Sequence, residues 1–521
     1  GTNAHTGTIA IGHNALTALT SGAGNVAIGY QSSDAMTTTN STVVIGYQAG
    51  SAMNSTDADG NVAIGYRALQ DCTSGGSNVA IGHNALKEIS TQANNVAVGR
   101  EAAASLTAAD SIAIGKRALY VHTTGANNIA IGTDAMSNTD AGSTSLGSNN
   151  NVFIGRETAS GTWADTASNF NVGIGNGVMT GAMDGALYNV ALGHGASASL
   201  TSGDSNIAIG WEAMKTNTTG TKNIAIGYGA MNDTDAGSNS LGSTENIFIG
   251  YDAGGGTWAD SATINCVAIG NYAMDSALDT ANNSVAIGHS SLSSVTTADA
   301  SIAIGKEALL SVTTGDANIG IGMHAMHVHT TGGDNIAIGR YAMDDTNAGS
   351  NSLGSTRNIF IGLDAGGGTW TDVASSENVA IGHYNMDSEL NGAMRNTALG
   401  YWCLSAVTSG GDNVVVGRNA GNAITTTSNT VLVGNNAGAA INHADANGTV
   451  ALGYNALLAL TTGQKNTAIG YEALKTEDTG DFNTAVGYQA LATQNRDGTV
   501  SNTAVGHKAG YAVTDGYEST L

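Results

Sequence analysis

Three histidines fall within six residues, His324-Ala325-Met326-His327-Val328-His329. They are the densest group of metal-binding side chains in the chain. In an extended segment His327 and His329 would project on one face and offer two imidazole nitrogens to one ion. The competing reading is an exposed turn leading into Thr330-Thr331-Gly332. It prevails here because other coils have turns at the same place. His327 and His329 stay as candidate ligands, and no resident metal or cofactor is expected. Asp57-Ala58-Asp59-Gly60 offers oxygens of the kind Ca²⁺ takes, without a complete ligand set. Trp163, Trp258 and Trp370 each follow a Gly-Thr pair. Tryptophan is enriched at binding hot spots, so these three are candidates for receptor contact or for packing between chains. No Gly-x-Ser-x-Gly elbow, phosphate loop or His-Glu-x-x-His occurs, and the carboxylates are scattered through turn-like segments. No catalytic site is expected, and the chain is not read as an enzyme.

These residues are carried by a repeat. Asn25-Val26-Ala27-Ile28-Gly29-Tyr30 returns in variants 28 times, most often 17 residues apart. Short-period self-similarity of this kind marks a solenoid. The residue before the glycine is Ile, Val or Leu in all 28 copies, and the residue three before is Val or Ile in 24. Two aliphatics one residue apart share a strand face. Stacked over successive coils they are expected to form the core, with Ile28, Ile209, Ile226 and Ile338 among its members. Ile209 and Ile226 are expected to lie on one another in adjacent coils, buried. The residue between them is Ala in 20 copies. An Ala column on a solvated face has no purpose, so it is expected to meet a second and third copy of the chain.

Asn stands four before the glycine in 20 copies. Asn25, Asn206 and Asn223 are expected to belong to an amide ladder running along the stack. The glycine itself is expected at a corner with positive φ. A Tyr, His, Lys or Arg column follows it, read as rings stacked at the corner, with carbohydrate contact as the rival. Leu or Met four after the glycine, in 18 copies, closes a second wall.

The spacing is nearly regular over 1–132 and again over 417–521. Between them, 133–416 holds three superrepeats, each opening on a 23-residue spacing. The long coils carry 140–147, 235–242 and 347–354, expected to bulge from one side. Each leads into a motif with Phe in place of the middle Ala: Phe153, Phe248 and Phe360. The fold class is therefore all-β: one continuous parallel β-solenoid of about 28 coils. At about 4.8 Å per coil this would be a rod of roughly 130 Å.

Composition agrees. Proline is absent from 521 residues, as suits a chain whose coils nearly all donate to the next. The net charge of −24 argues against nucleic acid as a partner. Three distant cysteines make no disulfide framework. No apolar run is long enough for a membrane helix. The chain opens inside a repeat without Met and stops near a coil end, so a fragment or processed piece is expected.

The segment Asn466 to Leu474, with its Thr-Thr-Gly turn, resembles the repeat shafts of bacteriophage tail fibres. The Asn-Val-Ala-Ile-Gly core is also similar to the head repeats of trimeric autotransporter adhesins, parallel β-rolls that assemble as trimers. The first likeness implies a fibre on the virion surface, a phage tail or capsid fibre contributing to host attachment. Its partners would be itself, as a homotrimer, and a host receptor such as carbohydrate. In trimeric fibres of that group a His-x-His from each chain can hold iron on the axis, and the His327–His329 pair resembles it. The second likeness implies a bacterial cell-surface adhesin.

Overall fold

A computed structural model of the chain describes residues 6–139, 147–163, 166–233, 242–258, 262–346 and 354–521. It is a parallel β-solenoid with one three-residue strand per coil, 28 in all. The chain divides into two compact units, Gly1–Ile264 and Asn265–Leu521. In the first, each strand pairs in parallel and in register with the next, so Ile207, Ala208 and Ile209 lie on Ile224, Ala225 and Ile226. The second repeats the arrangement, with Ile302, Ala303 and Ile304 on Ile319, Gly320 and Ile321. The expected bulges at 140–147, 235–242 and 347–354 lie outside the described residues, apart from Gly147, Gly242 and Gly354.

One coil shows why this sequence folds so. The strand Ile207–Ile209 ends at Gly210, where φ is 137°. The 28 motif glycines all have φ between 128° and 155°. A Cβ on Gly210 would sit 2.2 Å from the carbonyl oxygen of Gly227 in the next coil, so nothing larger fits this corner. Left-handed backbone recurs at Glu212 (φ 53°), Met214 (φ 52°) and Lys222 (φ 57°), folding the rest of the coil back as a second wall. The Met214 position is left-handed in every coil, with φ from 46° to 62°. Its occupants are Leu, Met, Gly, Ala and Ser and never Val, Ile or Thr, because β-branched residues pay most for left-handed backbone.

Both walls donate along the stack. Ile207 N–H reaches Asn223 O at 2.8 Å, and Met214 N–H reaches Ala230 O at 2.9 Å. The amide ladder lies between the walls. Asn206 Oδ1 accepts from the backbone N–H and side-chain Nδ2 of Asn223 at 2.9 and 3.2 Å. Asn206 Nδ2 donates to Gly220 O on the opposite turn at 2.8 Å. Asn25 does the same with Thr42 and Thr39. All three of these amides are buried. Buried amides with unmade bonds are costly, so the column fixes coil register as well as adding stability.

The two strand faces are the reverse of the sequence expectation. The middle residue is buried in every strand but the first, whereas no flanking aliphatic is fully buried in any coil. Ile28, Ile209, Ile226 and Ile338 are half-buried and face outward. Ile209 and Ile226 do stack directly, but not in the core. The core is the Ala column together with residues of the second wall, such as Ala213 and Met214. The reason is coil width. Tight left-handed turns bring the second wall so close that only Ala fits opposite Leu or Met. The Ala column therefore meets its own coil, not another chain as expected.

Where the strand residue is larger, the second wall shrinks. Val44 faces Gly50, Phe248 faces Gly254, Phe360 faces Gly366, and Leu432 faces Gly438. Volume is conserved across the coil, as close packing requires.

Candidate functional site

The outward strand face carries two columns of Val, Ile, Leu or Thr with no charge among them. Ile304 is 37% exposed and Leu399 46%. Beside it, past the corner glycine, runs the aromatic column. In the first unit Tyr30, Tyr47, Tyr66 and His83 stack with centroids 5.1, 5.4 and 4.9 Å apart. In the second, Tyr454, Tyr471 and Tyr488 stack 5.2 Å apart. The spacing is the coil rise, and stacking of this kind adds to the burial of each ring.

The tryptophans are not on this surface. Trp163, Trp258 and Trp370 are 0% exposed, which overturns their reading as receptor or inter-chain contacts. Each packs on the Phe of its own coil, with ring centroids 6.2, 5.6 and 5.7 Å apart. Trp258 and Trp370 donate Nε1–H to Gly254 O and Gly366 O at 3.1 and 3.0 Å. In these coils Phe, a small second-wall residue and Trp together replace the usual Ala and Leu or Met. Tryptophan here fills a core position, which its hot-spot reputation concealed.

His327 and His329 do not act as a pair. They lie in the second wall, not in a strand, and point to opposite sides. His329 is buried; its Nδ1 meets Thr346 Oγ1 at 2.9 Å and its Nε2 meets Gly332 O at 2.8 Å. Burial lowers its pKa. His122 occupies the same place in another coil, 2.8 Å from Thr139 Oγ1 and 3.0 Å from Gly125 O. Both imidazoles therefore close the core. His327 turns outward and joins His324, their rings stacked 4.6 Å apart. Glu307 Oε2 lies 3.1 Å from His324 Nε2 and 3.6 Å from His327 Nε2. On the other side His327 Nδ1 is 3.7 Å from Asp344 Oδ1. This group was legible in principle, because 307 and 324, like 327 and 344, are one 17-residue coil apart. Reading along the chain hid what reading down the columns would have found.

In the Asp57–Asp59 segment Asp59 is engaged by the preceding coil. Thr56–Ala58 form a 3₁₀ turn, and Asp59 Oδ1 accepts Asn40 N–H at 2.6 Å. The cysteines Cys72, Cys266 and Cys403 are buried and not joined in disulfides. Burial pushes their thiols up to about 11, 11 and 12, so they are unreactive core residues.

Asp387 gives a pH signature. Burial, with the nearby Asp364 charge adding to it, raises its carboxyl from 3.8 to about 6. A raised carboxylate pKa means that the folded state holds the proton more tightly than the unfolded one. The stability this contributes is complete below about pH 4 and is lost as pH rises through about 6. With each unit worth about 1.4 kcal/mol and discounting for partial exposure, Asp387→Asn should gain about 1–2 kcal/mol at pH 7 and nothing at pH 4. Thermal melts of both proteins across that range check it; a pH-independent difference would refute the assignment.

Among the described residues no helix is long and apolar enough to cross a membrane. Compared with protein-family models and with curated proteins, the chain matches none.

Proposed function

We propose that this protein is a non-catalytic fibre shaft of a virion, a phage tail or capsid fibre that contributes to host attachment, and that it works as a parallel homotrimer. One observation carries the fibre reading. Throughout each unit, near-identical coils stack in register and the side chains serve that stacking. Such a chain is a spacer that presents its outer columns at a fixed rise.

The homotrimer is supported by the uncharged Val/Ile face. Monomeric proteins seldom leave apolar patches beyond a few hundred Å² in water. Here the patch repeats coil after coil on a chain of net charge −24. A partner that covers it must match the coil rise at every step. A second copy, parallel and in register, does so by construction, and three copies about one axis close the set without free edges. The interface so proposed is the Val/Ile face, in place of the Ala column.

Light scattering of the purified chain is expected to give three times the chain mass, and a stable monomer at micromolar concentration would overturn the trimer. Gold-labelled antibody against the chain, applied to the source particles, is expected to decorate virion fibres. Label on cell surfaces free of virions would overturn the virion assignment in favour of a bacterial surface adhesin.

A further inference from the structure

We propose that Glu307, His324 and His327 form a Zn²⁺ site on the outer surface of the second wall. The donor atoms are the two Nε2 and one Oε2, and all lie within 4.8 Å of one another. Around a tetrahedral Zn²⁺ with bonds of about 2.0–2.1 Å, ligand atoms stand roughly 3.3–3.4 Å apart. The two distances from Glu307 Oε2, 3.1 and 3.6 Å, bracket that value. Two imidazoles and a carboxylate are the donor set Zn²⁺ takes when a fourth position is left to water.

The surroundings fit a cation. Lys306 Nζ approaches the other carboxylate oxygen, Oε1, at 3.2 Å, so Oε2 is left for the site. Asp344 Oδ1 faces His327 Nδ1, which is the arrangement that holds a ligating imidazole with its Nε2 lone pair outward. Asp344 Oδ1 makes no hydrogen bond of its own. The Tyr341 ring stands edge-on to His324, centroids 5.3 Å apart, and limits its rotation. The three ligand side chains remain 21–27% exposed, which leaves the fourth position open to water.

The site joins two coils directly, those of Glu307 and His324–His327, and a third through Asp344. An ion bound only by the stacked form stabilises the stack by mass action. The buried His329 plays no part in it.

The test uses the full chain, stripped with chelator and titrated with ZnCl₂ in a calorimeter. One site per chain is expected, with a raised melting temperature that chelator reverses. His324→Ala, His327→Ala and Glu307→Gln should each weaken binding at least tenfold, while His83→Ala, in the aromatic column of the first unit, should leave it unchanged. Circular dichroism without zinc checks that each variant is folded. Should an alanine variant not fold, His327→Gln is read in the same titration. Absence of a zinc-dependent shift in the wild type, or binding by the three ligand variants as tight as that of the wild type, would overturn the site.

Discussion

Ala208→Asp is expected to unfold its coil and the coils stacked on it, while Ile209→Asp, one residue later, is expected to leave the coil folded and to abolish self-association. Ala208 is fully buried between the walls, with Ala191 and Ala225 below and above it. A carboxylate there has neither water nor a partner. Uncompensated burial of that kind costs several kcal/mol. Ile209 keeps part of its side chain in water, so a carboxylate there stays hydrated and costs the single chain little. The same charge repeated around a closed assembly would repel its copies. Melting by circular dichroism and mass by light scattering separate the two outcomes. A folded Ala208→Asp beside an unfolded Ile209→Asp would show the strand faces to be assigned the wrong way round.

The second large effect concerns the exchange of volume across the coil. Phe248→Ala should cost about 3–5 kcal/mol, as expected when a buried aromatic is removed. Gly254→Met should also be costly, because even its Cβ would lie 2.5 Å from the Phe248 ring. The backbone is not the obstacle, since Met214 holds the same left-handed conformation at φ 52°. Made together, the two changes recreate the Ala–Met pairing of the coil with Ala208 and Met214, apart from the retained Trp258. The double variant should therefore be less destabilised than the sum of the singles by about 2 kcal/mol or more. Additive losses in a double-mutant cycle would mean that the two residues do not share one space.

The coil and its period are legible in the amino-acid sequence. A glycine required by a corner, an Asn required by the ladder and the absence of Pro are local demands, and each shows in residue identity. Column identity and 17-residue spacing then give the register, which is why Ile209 is expected on Ile226 and lies there. Which face of a three-residue strand lies inside is not written in its residue types. Val-Ala-Ile alternates either way, and hydrophobicity favours the wrong answer. What decides is the gap between the walls, set by left-handed turns at positions such as Glu212, Met214 and Lys222. That gap admits Ala and sends the Ile columns outward. The tryptophans followed the same rule, drawn inside where Phe248 or Phe360 faced a glycine. So did the histidines: His329 met a polar gap in the core, while His327 met Glu307 and Asp344 from the coils on either side. Contacts between coils are set by columns in space. Neighbours along the chain, such as His327 and His329, can end on opposite sides of a wall one residue thick.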